Sequence, residues 1–251
     1  MSNTIDWGKI HYSSWSPETN LTGTGGSSFS NTQSIYLDGM DAYVGGSTTY
    51  SQLDGATALT ISFWAKSTSE TTSTVIHIGQ STNRQIFVNF LSSRIIFRKN
   101  ENTDSTYLRA DTAIQNAGNW NHIMICMDLS ASASLRGDIF LNGNNVTAFR
   151  TLDTNAIQTS TGNLYLNETY KDFTGNIDEV AIWSGTDLRN DVATIYNSGV
   201  PNDLNNNGLT APTSWYRCGD GDSSPTLTDN GTSSYNLTMN NFSTFSTDVP
   251  T

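Results

Sequence analysis

The feature that most constrains the fold is a succession of short apolar segments that end in turn-forming residues. From Ser34 onward, strand-forming residues alternate with polar ones, and clusters of Gly, Asn, Asp or Ser separate the segments. The segments are SIYLDG, AYVGG, ALTISFWAK, STVIHIG, RQIFVNF, RIIFRK, WNHIMICMDL, DIFLNGNNVTAF, GNLYLN and GNIDEVAIW. This pattern predicts an all-β protein built from many short strands.

The length and composition fit one large β domain. The chain has 251 residues, of which 35% are hydrophobic and only 14% are charged. A single domain of this length buries roughly 70% or more of the surface of its unfolded chain, which is enough for a sizeable core. Cys126 and Cys218 both lie in strand-like segments, so we expect two buried free thiols.

Two segments carry more specific local signals. Asn142-Gly143 lies between two strand-like runs and supplies the positive φ angles of a tight hairpin turn. The segment DLRNDVATIYNSG has helical spacing, with Asp187 placed to cap its start and Gly199 to end it. The sequence therefore predicts one short helix on a β body, followed by two further strand candidates, SWYRCG and SSYNLTMNN.

The charge balance argues against several classes of partner. The formal net charge is −11, and the Lys and Arg residues form no run. Because phosphate binding needs clustered basic residues, we expect no nucleic-acid partner and no anionic membrane surface. The first residues lack the features of a secretion signal, and no apolar run reaches membrane-spanning length, which predicts a soluble chain.

Residues 1–33 differ in composition from the rest and are interpreted as an N-terminal arm and linker. The arm contains Trp7, Ile10, Tyr12 and Trp15, and the Gly/Ser/Thr-rich stretch LTGTGGSSFSNTQ follows it. Exposed aromatic clusters usually mark a partner surface, so these four residues are predicted to serve assembly. The alternative is that the arm folds back as an extra edge strand.

The order of several motifs points to a known superfamily. The segments SIYLDGMDAYV, ALTISFWAK, WNHIMICMD, DIFLNGNNV and GNIDEVAIW, the last running into DLRNDVATIYNSGVP, resemble the laminin G-like, concanavalin A-like jelly-roll superfamily. The resemblance covers roughly residues 34–200 and implies a two-sheet antiparallel jelly-roll sandwich. Many members bind sugars, some through Ca²⁺. WYRCGDGD and LTDNGTSSYNLTMNN resemble edge pieces of such domains, so we expect one domain over residues 34–251.

The arm carries a second resemblance. NTIDWGKIHYSSWSPETNLTGTGG is similar to N-terminal segments of structural proteins in tailed bacteriophages. This implies a non-enzymatic virion structural protein, namely a capsid or tail decoration, fibre or appendage component, with a lectin-like domain that binds surface glycans. Its partners would be other virion proteins or further copies of itself. The alternatives are a free-standing carbohydrate-binding lectin and a glycoside hydrolase.

Two adjacent acids interrupt the apolar segment GNIDEVAIW. Asp178 and Glu179 must point to opposite faces of a regular strand, so one is expected to be exposed and the other buried with a partner. The candidate cations are Arg217 and Arg189. Laminarinase-like relatives use an E-x-D-x-E triplet on one strand face, which this chain lacks, and it has no G-x-S-x-G elbow. We therefore expect no catalytic residues.

Oxygen-rich loops suggest a metal site. In the NETYKD loop, Asn167, Glu168 and Asp172 are the candidate Ca²⁺ ligands that the pentraxin-like resemblance implies. A solvated polar turn is the alternative. The turn with Asp220 and Asp222 is a weaker candidate.

Sugar binding requires aromatic faces near planar polar side chains. Tyr50, Tyr107 and Tyr170 occupy loop-like contexts and are the predicted carbohydrate-binding residues. Three tryptophans lie within strand-like segments and are predicted to belong to the core: Trp64, Trp120 and Trp183.

Overall fold

The computed structural model describes residues 29–68, 72–80, 83–91, 94–99, 106–112, 118–158, 162–167, 173–241 and 243–251. Within these ranges the chain forms seventeen strands and one five-residue α-helix, α1 (Val192–Tyr196). The strands are β1 (Ser34–Asp38), β2 (Tyr43–Gly45), β3 (Ala58–Ser67), β4 (Ser73–Gln80), β5 (Asn83–Leu91), β6 (Arg94–Lys99), β7 (Tyr107–Ala110), β8 (Asn121–Asp128), β9 (Gly137–Leu141), β10 (Asn144–Asn145), β11 (Thr147–Arg150), β12 (Asn163–Leu166), β13 (Thr174–Ser184), β14 (Ser214–Tyr216), β15 (Thr226–Leu227), β16 (Leu237–Asn240) and β17 (Thr244–Ser246).

The described strands form two antiparallel sheets. The first sheet has the order β10-β9-β8-β3-β13-β1-β17, and β14 also pairs with β13. The second has the order β11-β7-β6-β5-β4-β12-β2-β16-β15. The predicted all-β, two-sheet antiparallel sandwich with one short helix is therefore confirmed. The segment after residue 213 adds β14 and β17 to the first sheet and β15 and β16 to the second.

The main core lies between the sheets. It contains fully buried residues from both of them, including Phe63 on β3, Phe97 on β6 and Tyr216 on β14. Each large apolar side chain removed from water in this way contributes about 1.5–3 kcal/mol to the folded state. Alternation along each strand then directs every second side chain to an outer face of the sandwich.

The outer face of the first sheet carries a second apolar cluster. Side chains of the segment that follows β13 pack there against strand residues. The members are Met124, Cys126, Phe140, Ala181, Trp183, Leu188, Ile195, Leu204 and Trp215. Trp183 and Trp64 are buried as predicted, but Trp183 belongs to this outer cluster and Trp64 packs on His122 and Tyr196. Trp120 is only half-buried, and its Nε1 donates to Asp248 at 2.9 Å.

The predicted hairpin at Asn142-Gly143 is confirmed. Both residues have positive φ, 49° and 77°, and they join β9 to β10 as a two-residue turn in which Leu141 pairs with Asn144. The Asn142 side chain also binds β8, because its Oδ1 accepts from the backbone N–H of His122 at 2.8 Å. The hairpin is thus tied to β8.

The helix is shorter than the sequence predicts. α1 begins after Asp191, and Asp187 does not cap it, because the Asp187 carboxylate instead accepts from the backbone N–H and Nε of Arg189. The helix ends at Asn197, which adopts φ 46°, before Gly199 is reached. None of the described helices has the length and apolarity needed to cross a bilayer. Both cysteines are buried and free, as predicted.

Candidate functional site

The structure separates the three predicted sugar-binding tyrosines. Tyr50 has no exposed surface, and its hydroxyl shares a hydrogen bond of 2.9 Å with Ser214 inside the core. The prediction that its ring lies in a surface loop is therefore wrong, because the residue packs inward at the start of the 3-10 turn Ser51–Leu53. Tyr107 is partly exposed on β7, and Tyr170 lies outside the described residues.

Of the three predicted calcium ligands, only Asn167 lies within the described residues. Asn167 is buried, its Nδ2 donates to the carbonyl of Ala42 at 2.8 Å, and its Oδ1 accepts from the N–H of Phe173 at 3.3 Å. In this conformation the amide binds the backbone of Phe173, the first described residue after the loop, and the backbone of Ala42. Glu168 and Asp172 lie outside the described residues. Within the described ranges, no group of three or more His, Cys, Asp or Glu side chains converges as a metal site.

The predicted assembly residues, Trp7, Ile10, Tyr12 and Trp15, also lie outside the described residues. The ring of Phe29 is stacked on Trp215 with a centroid distance of 6.3 Å. Residues 29–33, which the sequence assigns to the linker, therefore contact the outer face of the first sheet.

A row of π systems crosses the outer face of the second sheet. Tyr165, His77, Phe87, Arg98 and Tyr107 are directly paired from strand to strand across β12, β4, β5, β6 and β7. Tyr43 on β2 extends the row at one end, 6.2 Å from Tyr165, and Phe149 on β11 extends it at the other, 5.3 Å from Tyr107. Seven adjacent strands span about 29 Å. We call this set the aromatic row.

Alternation explains why these side chains share one face. The residues beside them on each strand, such as Val44, Leu164, Val88 and Leu108, belong to the core. Residues that alternate with core positions necessarily point away from the core. His77 and Phe87 are buried in the middle of the row, whereas the tyrosines are partly exposed and Phe149 is 38% exposed. The row is therefore accessible at its two ends.

The Phe149 end combines aromatic and planar polar groups. Arg109 places its Cζ 5.2 Å from the centre of the Phe149 ring. Its guanidinium also pairs with Asp111 at 2.8 Å, and Arg94 contacts the same carboxylate at 3.2 Å. Tyr107, Phe149, Arg109 and Asp111 thus present ring faces, donors and a carboxylate on one surface.

A β-bulge decides the orientation of Asp178 and Glu179 on the first sheet. Asp178 pairs with Trp64 and Ala181 with Ser62, so β13 has one residue more than β3 in this interval. Glu179 accommodates the extra residue with a φ of 48°. Both acids therefore lie on the outer side, and both are buried, at 0% and 3% exposure. The expectation of opposite faces with one exposed acid is wrong, because it assumed a regular strand.

Each buried acid has hydrogen-bond partners. Glu179 accepts from Trp215 Nε1 at 2.6 Å and from Arg217 Nε at 3.3 Å. Asp178 accepts from the backbone N–H of Glu179 and from Asn31 Nδ2, both at 2.9 Å. Arg217 is one of the two cations predicted to serve this role. The other, Arg189, instead pairs with Asp138 and Asp187.

Burial disfavours the ionised form of both acids. It raises the pKa of Asp178 well above its ordinary value, and the neighbouring Glu179 charge raises it further. Burial also raises the pKa of Glu179 to about 7, although Arg217 and Trp215 oppose the change. Because the two carboxylates are adjacent and the guanidinium of Arg217 pairs with Glu179, the pair titrates as a coupled unit that retains a proton near neutral pH.

A polar groove of about 440 Å³ opens beside this pair. Phe29, Trp215 and Arg217 line one part of it, and Arg217 Cζ lies 4.4 Å from the Phe29 ring centre. The remaining lining residues are mostly acids and amides: Ser30, Asp203, Asn205, Asn206, Asp220, Gly221 and Asn230. Residues near the start of the described chain and residues from its last fifty positions therefore line the same groove.

A serine–histidine pair lies on the other side of Glu179. Ser62 Oγ and His122 Nε2 are 2.8 Å apart, and both residues are buried. Burial lowers the pKa of His122 to about 3, so the ring is neutral at physiological pH. The adjoining cavity, which Glu179 and Asn202 also line, has a volume of about 10 Å³. It has room for about one water molecule and none for an acyl substrate.

Several of these residues were not predicted from the sequence. Tyr43, Tyr165 and Phe149 occur in segments recognised as strands, and alternation could have placed them opposite the core positions. Phe29 and Trp215 are separated by 186 positions in the chain, so no local pattern brings them together.

Comparisons with known proteins agree with this architecture. A candidate carbohydrate-binding protein from Bacteroides ovatus ATCC 8483 has a similar structure, with a TM-score of 0.57 and 14% identity. The match covers 88% of this chain and 62% of that one, so this chain spans less than two thirds of the Bacteroides protein. The heptameric SAP-like pentraxin of Limulus polyphemus has a TM-score of 0.54, with 14% identity over 66% of this chain and 82% of the pentraxin.

At these identities, the structural matches show a shared fold only. No curated protein matches the chain. A laminin G-like family model described as the concanavalin A-like lectin/glucanases superfamily matches residues 38–193, which is more than half of the chain. This match includes β3, β8 and β13, the strands at the centre of the first sheet. The chain therefore belongs to the concanavalin A-like lectin/glucanase superfamily.

Proposed function

We propose that this chain is a non-enzymatic display domain that binds glycans through the aromatic row and is held on a virion by its N-terminal arm. The observation that carries the proposal is the accessible end of the row, where Tyr107 and Phe149 lie beside Arg109 and Asp111. Sugar rings stack their C–H faces on aromatic side chains, and their hydroxyls bind planar polar groups.

Similarity to the Bacteroides protein supports a carbohydrate ligand, because its description names that class of ligand and its fold matches most of this chain. The aromatic row adds a feature of this chain itself. With accessible rings at both ends and a length of about 29 Å, the row suits an extended oligosaccharide better than a single sugar. We therefore assign the ligand class as a surface glycan.

The non-catalytic part of the proposal has its own support. Asp178 and Glu179 are engaged by Asn31, Trp215 and Arg217 and lie on the sheet opposite to the aromatic row. The Ser62–His122 pair adjoins a cavity of about 10 Å³, which is too small for a substrate. The alternative function is that of a glycoside hydrolase, and an assay of glycan hydrolysis tests it.

The virion part of the proposal rests on the arm and on where it joins the sandwich. Phe29 contacts the outer face of the first sheet, whereas the aromatic row lies on the outer face of the second sheet. An arm bound to a particle would therefore leave the glycan surface on the opposite side. Partners would be other virion proteins or further copies of this chain.

Calcium stays a separate prediction. Asn167 is a poor ligand in this conformation, because both ends of its amide already bind the backbone. Any Ca²⁺ at this loop would depend on Glu168, Asp172 and backbone oxygens.

Glycan binding can be tested with the full chain on an array of bacterial and eukaryotic oligosaccharides. Phe149→Ala should weaken binding to any retained glycan by about tenfold or more, since loss of a stacked ring costs on the order of 1.4 kcal/mol. Leu135→Ala is the matched control, because Leu135 is 58% exposed and is not part of the row; it lies in the turn Ala133–Leu135, which precedes β9 of the first sheet. Equal binding by both variants would contradict the proposed site.

Attachment can be tested separately by deleting residues 1–28, which leaves the contacts of Phe29 in place. The full chain should co-purify with virus particles in a fixed stoichiometry, and the truncated chain should remain folded but stay in solution. Assembly of the truncated chain would contradict the anchoring role. Glycan binding without particle association would favour a free-standing lectin, and hydrolysis of β-glucans would favour the glycosidase.

A further inference from the structure

The two sheets differ in charge. The described strands of the second sheet contain no Asp or Glu, although the whole chain has 23 acidic residues against 12 basic ones. The basic residues of these strands are Arg84, Arg94, Arg98, Lys99, Arg109 and Arg150. The described strands of the first sheet contain a single basic residue, Lys66, and the acids Asp38, Asp128, Asp138, Asp178 and Glu179. Positive charge is therefore concentrated on one sheet of an acidic protein.

Three of these arginines lie on the face that carries the aromatic row. Arg94 and Arg98 on β6 and Arg109 on β7 alternate with core residues such as Phe97 and Leu108, so their side chains leave the sheet on its outer side. Strand pairing brings them together, which is why the sequence shows no run of basic residues.

The other basic residues of these strands do not add to this face. Lys99 is fully buried and its Nζ binds Asp153 at 2.5 Å, and Arg150 pairs with Asp138. The side chain of Arg84 lies outside the described residues. On the β6–β7 part of the face, the described charges are three guanidinium groups and the carboxylate of Asp111, which leaves an excess of positive charge.

Arg98 differs from the other two arginines in its partners. Those two guanidinium groups both contact Asp111, whereas Arg98 contacts none of the carboxylates that the structure describes. Its Nη1 donates to Asn89 Oδ1 at 3.2 Å, and its Cζ lies 6.0 Å from the centre of the Phe87 ring. Neutral groups thus hold this guanidinium in place without balancing its charge. Since Arg98 is partly exposed, its remaining N–H groups can reach a ligand.

The position of Arg98 within the aromatic row suits a charged sugar. Arg98 is paired directly with Phe87 on one side and with Tyr107 on the other, so it lies next to the accessible Tyr107–Phe149 end. Adjacent strands are about 4.8 Å apart. A sugar stacked on Tyr107 therefore brings its own substituents, or those of the next sugar, within reach of the guanidinium.

We propose that the glycan bound by the aromatic row is acidic and that Arg98 pairs with its carboxylate or sulfate group. The planar fork of a guanidinium matches two oxygen atoms of such an anion. A neutral sugar would cover the charge of Arg98 without balancing it, which is unfavourable. The inference rests on the proposed glycan site and names the class of ligand that this site takes.

Matched pairs of oligosaccharides test the charge of the ligand with the full chain. The pairs are a uronic acid oligosaccharide and its carboxyl-reduced form, a sialylated oligosaccharide and its desialylated form, and a sulfated oligosaccharide and its desulfated form. Titration calorimetry should give a Kd at least about tenfold lower for the acidic member of a bound pair. Comparison of the carboxylate pairs with the sulfate pair identifies the anion.

Two failures of this test can be told apart. If the neutral members bind as tightly as the acidic ones and Phe149→Ala still weakens binding, the acidic ligand is wrong and the glycan site stands. If no oligosaccharide of the panel or of the array binds, both the glycan site and the acidic ligand are contradicted.

Arg98→Gln tests the residue itself, because glutamine lacks the charge but can still donate to Asn89 Oδ1. Its affinity for the acidic member should fall about tenfold, whereas its affinity for the neutral member should not change. Lys66→Gln is the matched control, because it removes one positive charge from the first sheet, where the side chain is 23% exposed. An equal loss for both members in Arg98→Gln, or an equal loss in the control, would overturn the role of Arg98.

The salt dependence of the wild-type chain provides a second measurement, which does not require a folded variant. Raising NaCl from about 50 mM to about 500 mM should weaken binding of the acidic member by at least about threefold, because salt screens charge pairs at a surface. Binding of the neutral member should stay constant. Arg98→Lys keeps the charge and should keep the preference for the acidic member. An affinity for the acidic member that does not change with salt would overturn the proposal.

Discussion

Replacing Arg217 by methionine removes the guanidinium that faces the buried Glu179 while keeping an apolar stem of similar length. In the native protein the Arg217 Nε lies 3.3 Å from Glu179 Oε1, and the Nη2 holds the carbonyl of Ser30. The cost of the change should depend on pH, because Glu179 has a pKa of about 7 and so ionises within the accessible range. At low pH the variant loses hydrogen bonds only, whereas at high pH it leaves the Glu179 carboxylate buried without its cation.

The magnitude follows from this titration. At pH 5 Glu179 is protonated in both proteins, so the loss is about 1–2 kcal/mol for the hydrogen bonds to Ser30 and Glu179. Above pH 7 the wild type ionises Glu179 beside Arg217, whereas the variant must keep Glu179 protonated or bury an unpaired charge. Each pH unit then adds about 1.4 kcal/mol, which gives a total of about 4–5 kcal/mol at pH 9. This value agrees with about 3–5 kcal/mol for breaking a buried ion pair.

Urea unfolding of both proteins at pH 5, 7 and 9, followed by far-UV circular dichroism, gives the difference in free energy of unfolding. Arg150→Met is the matched control. Burial raises the pKa of its partner Asp138, but hydrogen bonds from Arg150 and Asn145 outweigh burial and hold that pKa below its ordinary value. The cost of the control should therefore be the same at all three pH values. An equally flat profile for Arg217→Met would refute the coupling of Arg217 to Glu179.

Three further predictions concern other parts of the chain. Gly143→Ala should destabilise the protein by about 1–2 kcal/mol in urea unfolding, because Gly143 has φ 77° and an added Cβ would lie 2.7 Å from Tyr196; a change below about 0.3 kcal/mol would contradict this. Cys126 and Cys218 should react with an aromatic disulfide reagent only after unfolding, since burial raises the pKa of both thiols, and rapid labelling of the native protein would disprove their burial. Calcium bound near Asn167 should raise the melting temperature in millimolar Ca²⁺ relative to EDTA, by a linkage of about 2.7 kcal/mol at a concentration of 100 Kd; equal melting temperatures would remove the metal hypothesis.

The strands could be predicted because their signals are local. Alternation and turn residues mark β3, β8 and β13, and Asn142-Gly143 sets the register of the β9–β10 turn by its backbone preference alone. Strands of two or three residues, such as β15 and β17, are too short to show a period and were missed. They exist because a neighbouring strand supplies the pairing partner.

The candidate sites depended on tertiary contacts that no local pattern contains. The bulge at Glu179 arises where β13 pairs with β3, and it reverses the orientation expected for a regular strand. Tyr50 lies in a loop-like stretch but becomes a core residue because Ser214 and Tyr235, more than 160 positions away, surround it. The prediction of Tyr107 as a sugar-binding residue remains a prediction, now with Phe149 and Arg109 as neighbours.

The central claim is that the outer face of the second sheet binds a glycan. The most direct measurement is a chemical-shift titration of the isotope-labelled full chain with the oligosaccharide that binds most tightly on the array. We predict that the largest shifts occur on β7 and β11, at Tyr107–Ala110 and Thr147–Arg150, with smaller shifts near Tyr43 and Tyr165. Shifts confined to the groove around Trp215 and Arg217, with no change on β7 and β11, would contradict the account.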